Sequence, residues 1–581
     1  MSRFEIKDNF YLDNAPFKVI SGAIHYFRIV PQYWRDRLEK CKAMGCNTVE
    51  TYIPWNVHEP QKGKFCFEGM YDIEAFIRLA QEIGLYIIIR PSPYICAEWE
   101  FGGLPAWLLK EDGMRLRVND AKFMKAIEDY YKVLLPKLTP YQIDCGGNII
   151  LMQVENEYGY YGNDTSYMEA LKNIMRKYRI TVPLVTSDGP FPDSLDGGRI
   201  EGVLPTGNFG SKTEERFEVL KQYTNGGPLM CTEFWCGWFD HWGNGGHMKG
   251  NLEESVKDLD AMLRLGHVNI YMFEGGTNFG FMNGSNYYDE LTPDVTSYDY
   301  DAVLTEDGQI TEKYKRYREV VSKYTKIPEV SFSTKIERKA YGEIAVKERV
   351  SLFSVLDDLA TPIESIQPQS MERLGQSYGY ILYHSTLNTE NSLEKIRLWG
   401  ANDRAKIYVH QKPVLTLYDR ELEKEYEVTT AFEKGQDIDI LVENMGRVNF
   451  GPYLEKQRKG IDHCVQINGH MHNHWKQYCL PLDNIDKVDF SKEYQEGVPA
   501  FYRFCFDVEQ PCDTFLDFDG WGKGCAFVNG FNIGRFWEIG PQKRLYIPAP
   551  LLKEGENEII LFETEGKAGK SIFLREEPDV G

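Results

Sequence analysis

The N-terminal half of the chain alternates short apolar runs with longer segments in which apolar residues recur at helical spacing. The apolar runs predict eight β-strands, at residues 19–24, 48–53, 86–90, 149–154, 184–187, 203–206, 229–232 and 269–273. Helical patterns lie between them, for example at residues 33–44, 73–83, 123–134, 167–177, 214–223 and 252–265. Repeated strand–helix units indicate parallel strands, and eight of them favour a (β/α)8 TIM barrel with enlarged loops. A doubly wound sheet is also compatible with this periodicity.

The pattern changes after about residue 325, where long helical segments give way to alternating apolar and polar positions. Residues 379–384, 406–409 and 438–442 alternate in this way, as do residues 514–518 and 558–563 near the C-terminus. Such alternation, interrupted by short turns, predicts antiparallel strands in two all-β sandwich or jelly-roll domains. The predicted division is a catalytic barrel at residues 1–325, a first β-sandwich at 326–485 and a second at 486–581. No low-complexity linker separates them, so we expect the domains to pack tightly.

The composition is that of a globular protein, and its charge disfavours several classes of partner. The 581 residues carry a net charge of -21, which would repel nucleic acids and anionic membranes. No apolar run reaches the roughly 18 residues of a membrane helix. The first residues also lack the apolar core of a signal peptide. We therefore expect a cytoplasmic protein with a neutral small-molecule substrate, no nucleic-acid partner and no membrane partner.

The spacing of cysteine and histidine gives no sign of a metal centre. The 12 cysteines include no Cys-x-x-Cys pair, and the 11 histidines form no His-Glu-x-x-His motif. Such cysteines are expected to be reduced and mostly buried thiols in a cytosolic protein. We expect neither a metal ion nor another cofactor. A homodimer is compatible with the chain, although no stripe of residues identifies an interface.

Two of the predicted strands end in carboxylates. The fourth strand runs into Glu155, Asn156 and Glu157, and the seventh runs into Glu233. In a barrel, the C-terminal strand ends converge on one pocket, where two glutamates could protonate a glycosidic oxygen and supply negative charge at the anomeric carbon. Residues two apart on a strand point the same way, so either Glu155 or Glu157 could face this pocket. Glu157 lies nearer the mouth and is favoured as the proton donor, whereas a structural role is favoured for Glu155.

The segment around the fourth strand, GGNIILMQVENEY at residues 146–158, resembles the signature of glycoside hydrolase family 35. This family comprises β-galactosidases within a large group of retaining (β/α)8 glycosidases. Further blocks agree with it, at residues 51–60, 90–100, 233–243, 275–280 and 296–301. The resemblance covers the whole barrel and continues more weakly into both β-domains, the second of which is expected to be a galactose-binding-like jelly roll. Asn148 departs from the signature, which usually has proline there, at a position upstream of the chemistry.

The resemblance implies a role for each matching position. It makes Glu157 the acid/base and Glu233 the nucleophile, in agreement with the argument from the strand ends. It also implies that Asn156 bonds the sugar 2-hydroxyl near the nucleophile. The other positions that hold galactose in the family correspond to Tyr52, Cys96, Ala97, Glu98, Tyr271 and Tyr300. On the leaving-group side we expect Trp238, Trp242 and Tyr453 to stack on the aglycone, with simple packing as the alternative for each.

These observations predict a retaining exo-β-galactosidase that removes terminal galactose from short oligosaccharides by a two-glutamate double displacement. The compact architecture resembles bacterial members of the family that favour β-1,3-linked galactose. Two alternatives stay open at this point. The barrel could carry another exo-glycosidase activity, such as that of an exo-β-glucosaminidase. Alternatively, the barrel could be inert in a carbohydrate-binding protein whose sandwiches bind the sugar.

Overall fold

Eight parallel strands form a closed barrel in the N-terminal part of the chain. The computed structural model describes residues 2–91, 93–333, 335–387, 393–430 and 435–581. The barrel strands are β1 (Ile20–Ile24), β2 (Thr48–Tyr52), β3 (Tyr86–Arg90), β4 (Ile149–Gln153), β5 (Leu184–Asp188), β6 (Leu204–Asn208), β7 (Met230–Trp235) and β8 (His267–Glu274). Strand β8 pairs with β1, where Val268 lies opposite Ile20, and this pairing closes the sheet. The predicted (β/α)8 barrel is confirmed, and an open doubly wound sheet is excluded.

A helix follows each of the eight barrel strands. These helices are α1 (Trp34–Met44), α2 (Ile73–Ile83), α3 (Ala121–Leu138), α4 (Thr165–Lys177), α5 (Pro192–Gly198), α6 (Thr213–Lys221), α7 (Leu252–Leu265) and α8 (Glu312–Val321). Helix α2 begins at a cap in which Asp72 accepts from the Ala75 N–H, and it ends at Gly84 with φ 84°. Its buried face, with Ile73 and Phe76, joins the main core of the barrel. In the described part of the chain, no helix is long and apolar enough to cross a membrane.

The first β-sandwich consists of a six-stranded and a four-stranded sheet. The larger sheet has the strand order Ile363–Ser365, Trp475–Leu480, Tyr380–Thr386, Asp437–Glu443, Arg404–Val409 and Lys412–Tyr418. The smaller sheet has the order Tyr426–Thr430, Leu393–Asn402, Gly460–Ile467 and His470–His472. Residues such as Ile407, Ile440 and Val465 from both sheets form one buried cluster. Burial of one face of each sheet explains the alternating pattern of these strands.

The second β-sandwich takes two of its strands from the chain before the first sandwich. One sheet has the order Gly342–Ala345, Ser571–Arg575, Thr514–Asp517 and Arg544–Ile547. The other has the order Glu348–Ser351, Ala500–Val508, Gly555–Glu563, Lys523–Val528 and Phe531–Trp537. The predicted division assigns residues 342–351 to the first sandwich, whereas here they pair with strands of the second. Alternation predicts a strand but not its partner, because antiparallel pairing can join segments far apart in sequence.

Buried polar contacts join all three domains. Arg535 of the second sandwich donates to Asn283 Oδ1 of the barrel at 2.8 Å and to Glu443 Oε1 of the first sandwich at 3.1 Å. Arg447 of the first sandwich donates to Glu100 Oε1 of the barrel at 2.5 Å. Breaking a buried ion pair leaves an uncompensated charge and is strongly destabilising, so these contacts fix the domains relative to one another.

Candidate active site

The C-terminal ends of the barrel strands surround a cavity of about 330 Å³. The cavity has carboxylates and amides in its interior together with aromatic side chains. It is lined by all of the predicted site residues except Trp242 and Tyr453, namely Tyr52, Cys96, Ala97, Glu98, Asn156, Glu157, Glu233, Trp238, Tyr271 and Tyr300. Residues from distant parts of the barrel sequence therefore meet in one place, as expected for strand ends of a closed barrel.

Glu233, near the end of β7, is held by hydrogen bonds to both carboxylate oxygens. Its Oε1 lies 2.6 Å from the Tyr52 hydroxyl and 2.6 Å from Arg90 Nη2. Its Oε2 accepts from Trp235 Nε1 at 3.0 Å. Arg90 is completely buried at the end of β3, so its charge acts on Glu233 without screening by water. These donors orient the carboxylate and compensate its negative charge, which is the state that a nucleophile requires.

Glu157 follows β4 and lies in a different electrostatic environment. Burial is the main cause that raises the pKa of Glu157, to about 8, and the negative charge of Glu233 raises it further. One hydrogen bond, from Asn208 Nδ2 to Glu157 Oε1 at 3.1 Å, favours the charged form and acts in the opposite direction. With this pKa the carboxyl group keeps its proton at neutral pH. Glu157 can therefore act as a general acid beside an anionic Glu233.

Asn156 is oriented by the same residues that hold the neighbouring carboxylate. Its Oδ1 lies 2.6 Å from Arg90 Nη2 and 2.9 Å from the Tyr52 hydroxyl, and it accepts from Gln153 Nε2 at 3.1 Å. Arg90 and Tyr52 thus tie Asn156 and Glu233 into one network. Arg90 begins the motif at residues 90–100 but is not among the predicted site residues. The signal available for it is a charged residue at the end of the otherwise apolar strand β3.

Cys96, Ala97 and Glu98 form one wall of the cavity in a strained backbone conformation. Their φ angles are 58°, 56° and 47°, in the left-handed region that is costly for residues with a Cβ. Hydrogen bonds hold this segment: Arg28 Nη2 donates to the Ala97 carbonyl at 2.5 Å, and the Gly284 N–H donates to the Glu98 carbonyl at 2.9 Å. Strain that is maintained by surrounding contacts is typical of preformed binding sites.

The carboxylate of Glu98 is buried and accepts a hydrogen bond from the Tyr298 hydroxyl. Burial raises the pKa of Glu98 to about 7, against the opposing effects of the Tyr298 hydrogen bond and the Arg28 charge. The Arg28 guanidinium stacks on the Tyr298 ring at 3.8 Å from its centroid. Neither Arg28 nor Tyr298 is among the predicted site residues, although Tyr298 lies in the motif at residues 296–301. Together they position an acceptor that can bind sugar hydroxyls.

Tyr271 and Tyr300 contact each other in the cavity. Their rings are 5.6 Å apart at 85°. Two glycines allow the segment around Tyr300 to lie against the ends of β7 and β8. A Cβ at Gly237 would be 1.8 Å from the Tyr300 carbonyl oxygen, and one at Gly275 would be 1.5 Å from the Tyr298 carbonyl oxygen. Close backbone contact at the site therefore explains Gly237 and Gly275, which lie in the motifs at residues 233–243 and 275–280.

Glu155 does not line the cavity. Arg117 donates to both of its oxygens, at 2.9 and 2.8 Å, and the Tyr167 hydroxyl donates to Oε1 at 3.0 Å. The contacts agree with the structural role favoured for Glu155. Among the described residues, no group of three or more His, Cys, Asp or Glu side chains is arranged to hold a metal ion.

Trp242 and Tyr453 lie outside the cavity lining. Trp242 is only 6% exposed, and its backbone N–H donates to the Pro293 carbonyl at 2.9 Å. The Tyr453 ring packs on Tyr287, with centroids 5.1 Å apart. Both residues therefore contact the segment around residues 285–293. Their expected stacking on the aglycone stays a prediction, and only Trp238 of the three lies on the cavity wall.

A (β/α)8 barrel with glutamates at the ends of β4 and β7, one with a raised pKa and the other surrounded by donors, is the arrangement of a glycoside hydrolase. Residues 9–324 match the glycosyl hydrolases family 35. Residues 368–482 match the first all-beta domain of beta-galactosidase, and residues 499–557 match the galactose-binding domain. The chain belongs to glycosyl hydrolase family 35.

Relatives from different kingdoms match the chain over nearly its full length. Beta-galactosidase-1-like protein 2 from Homo sapiens is 41% identical over 591 residues, covering 99% of this chain and 91% of the relative. Beta-galactosidase 8 from Oryza sativa subsp. japonica is 38% identical over 632 residues, covering 98% and 94%. Beta-galactosidase 1 from Dictyostelium discoideum is 38% identical over 622 residues, covering 96% and 92%. The protein is accordingly an enzyme, and its class is that of the glycoside hydrolases.

Proposed function

We propose that this enzyme is a retaining exo-β-galactosidase that removes terminal β-galactose from short oligosaccharides. The observation that carries the proposal is the pair of glutamates with contrasting surroundings, Glu157 with a raised pKa and Glu233 among three donors. A cavity of about 330 Å³ suits a single terminal sugar rather than a long chain. The names of the relatives described above support galactose as that sugar.

In the proposed first step, a Glu233 oxygen attacks the anomeric carbon as the bond to the leaving oxygen breaks. Glu157 gives its proton to that oxygen, so the leaving group departs as an alcohol. In the second step water attacks the same carbon and transfers a proton to Glu157, which releases Glu233 and β-galactose. Arg90 and Tyr52 keep Glu233 oriented throughout, because their hydrogen bonds do not depend on the substrate.

The remaining residues of the cavity are proposed to hold galactose. Asn156, fixed through its Oδ1, can offer its side-chain amide to the 2-hydroxyl. Glu98 can accept from two hydroxyls and so distinguish epimers. Tyr52, Cys96, Ala97, Tyr271 and Tyr300 complete this site.

A preference for β-1,3 linkages is proposed from the resemblance alone. A cytoplasmic location is proposed on the support of 12 cysteines that are all free.

A panel of nitrophenyl glycosides tests the proposed activity. We expect turnover of the β-galactoside at a rate far above that of the β-glucosaminide and β-glucoside. Preferred turnover of the glucosaminide would instead support an exo-β-glucosaminidase. Turnover of none of these glycosides would overturn the proposed activity. Among galactosyl disaccharides, the β-1,3 linkage is expected to react faster than β-1,4 or β-1,6.

Substrates with different leaving groups distinguish the proposed roles of the two glutamates. Glu233→Gln is expected to abolish turnover of every galactoside. Glu157→Gln should still form the galactosyl-enzyme from substrates whose leaving group needs little protonation. Equal losses on activated and unactivated galactosides would count against these roles. Proton NMR of the fresh product should show β-galactose first, and initial α-galactose would rule out retention.

A further inference from the structure

Exposed aromatic side chains are concentrated at the mouth of the active-site cavity. Tyr160, Trp238, Tyr288 and Phe450 are all exposed large side chains, and all four line this cavity. Exposed apolar surface that is grouped in one place marks a binding site more often than a feature of folding. The residues proposed to hold galactose do not include Tyr160, Tyr288 or Phe450. These rings are therefore available to bind a second group.

We propose that Tyr160, Tyr288 and Phe450, together with Trp238, bind the leaving-group sugar, so that the first β-sandwich forms part of the active site. This inference rests on the proposed galactosidase activity and specifies its substrates. Favoured substrates carry a pyranose as the leaving group, because a pyranose has an apolar face that can stack on an aromatic ring. A leaving group without such a face gains nothing from the four rings.

Phe450 is exposed although it directly follows a buried segment. Residues 447–449 are completely buried, whereas Phe450 is 38% exposed. Asn449 fixes this segment to the barrel loop that lines the galactose site. Its Nδ2 donates to Cys96 Sγ at 3.6 Å, and its carbonyl accepts from the Tyr94 hydroxyl. A rigid support thus presents the Phe450 ring to the cavity, and covering it with a ligand would require no reorganisation of the chain.

Tyr160 connects Phe450 to the acid/base. It lies three residues after Glu157, in the single helical turn Tyr158–Tyr161. Its ring contacts Phe450 across the domain boundary, with centroids 6.2 Å apart and planes at 72°. Its hydroxyl occupies the space beside Gly189, where a Cβ would be only 1.7 Å away. Tyr160 and Phe450 therefore form a fixed two-ring wall near the residue that protonates the leaving oxygen.

The first β-sandwich also supports the hairpin at residues 285–293, which carries Tyr288. The Asn449 N–H donates to the Ser285 carbonyl at 3.0 Å, and the Ser285 hydroxyl donates to the Gly446 carbonyl at 2.9 Å. The Tyr453 ring packs on Tyr287 of the same hairpin. The Tyr453 ring therefore supports the hairpin that carries Tyr288.

The hairpin contributes one aromatic and one polar group to the cavity. Tyr288, in the turn of the hairpin, is 71% exposed and still lines the cavity. Asn286 lines it too and is only 5% exposed, yet its Nδ2 has no hydrogen-bond partner among the described residues. A buried amide without a partner is costly. A hydroxyl of the second sugar could supply the partner that the protein does not.

Alanine variants of the full-length enzyme test the proposal with two substrates. A galactosyl disaccharide places a second sugar at the four rings, whereas β-galactosyl fluoride has a leaving group without a ring. Loss of one stacking platform in Phe450→Ala or Tyr288→Ala should lower kcat/KM for the disaccharide about fivefold to tenfold. The value for the fluoride should change less than about twofold. Phe450→Tyr, which keeps a ring, should retain most of the disaccharide activity.

Phe65→Ala is the matched control, because Phe65 is 37% exposed and lies outside the cavity lining. It should leave both substrates unchanged. Equal losses on the disaccharide and the fluoride in the Phe450 and Tyr288 variants would overturn the inference. The wild-type enzyme tests the proposed function separately. If it turns over neither substrate, the proposed galactosidase activity is overturned. If the wild-type enzyme instead hydrolyses another β-glycoside, the same variants are compared on the fluoride and a disaccharide of that sugar. If it hydrolyses no β-glycoside, both proposals fail.

Discussion

The proton on Glu157 should determine where activity is lost on the alkaline side. With a pKa of about 8, Glu157 is protonated at neutral pH and loses its proton as the pH rises through that value. Asn208→Ala removes the hydrogen bond that Asn208 donates to Glu157 Oε1. Because that bond stabilises the charged carboxylate, its loss should raise the pKa of Glu157. The alkaline limit of kcat/KM should therefore move to higher pH.

The magnitude follows from the contact itself. A hydrogen bond to a charged group contributes about 1.5–3 kcal/mol, and the bond at 3.1 Å belongs at the weaker end. A shift of one pH unit corresponds to about 1.4 kcal/mol, so the alkaline limit should rise by about one unit, from about 8 to about 9. Asp188→Asn provides the opposite test. The charge of Asp188 raises the pKa of Glu157, so removing it should lower the limit.

The assay is the pH profile of kcat/KM for a galactosyl disaccharide, measured for the wild-type enzyme and both variants. β-Galactosyl fluoride is the control substrate, because fluoride leaves without protonation and its profile should not follow the proton of Glu157. An alkaline limit that stays in place or falls in Asn208→Ala would refute the reasoning. A shift of the pH profile for the fluoride together with that for the disaccharide would also refute the reasoning.

Two further substitutions separate catalytic support from structural support. Arg90→Met removes the buried cation that donates to Glu233 Oε1. Because a hydrogen bond between charged groups contributes about 3 kcal/mol, kcat/KM should fall by about a hundredfold or more for every galactoside. Arg117→Met leaves Glu155 buried without its compensating cation and should lower the free energy of unfolding by about 3–5 kcal/mol in denaturant titrations. Arg115→Met, at an exposed ion pair, is its control and should leave that free energy almost unchanged.

The barrel and its two glutamates could be predicted because the relevant signals are local. Strands such as β4 are buried on both faces and appear as continuous apolar runs, so the carboxylates that follow them are conspicuous. Arg90 is different, because its contacts with Tyr52, Asn156 and Glu233 form only when the barrel closes. Nothing within the segment around residue 90 distinguishes an arginine beside the proposed nucleophile from one in a structural ion pair.

The leaving-group side was harder to predict because loops have no periodicity. Tyr453 and Phe450 lie three residues apart in one loop, and the sequence alone does not indicate which ring faces the cavity. The answer depends on how the first sandwich docks on the barrel through Arg447 and Asn449. The strands at residues 342–351 pose the same difficulty. Their pattern predicts strands, but their sheet is decided by partner strands that begin only at residues 500 and 571.

Trapping the covalent intermediate tests the central claim most directly. A 2-deoxy-2-fluoro-β-galactoside with a good leaving group should react once with the wild-type enzyme and inactivate it, because the fluorine slows the second step more than the first. Digestion and mass spectrometry should then locate a single fluorogalactosyl group on Glu233. A label on Glu157 or on another residue, or full activity with no label, would contradict the account in which Glu233 is the nucleophile and Glu157 the acid.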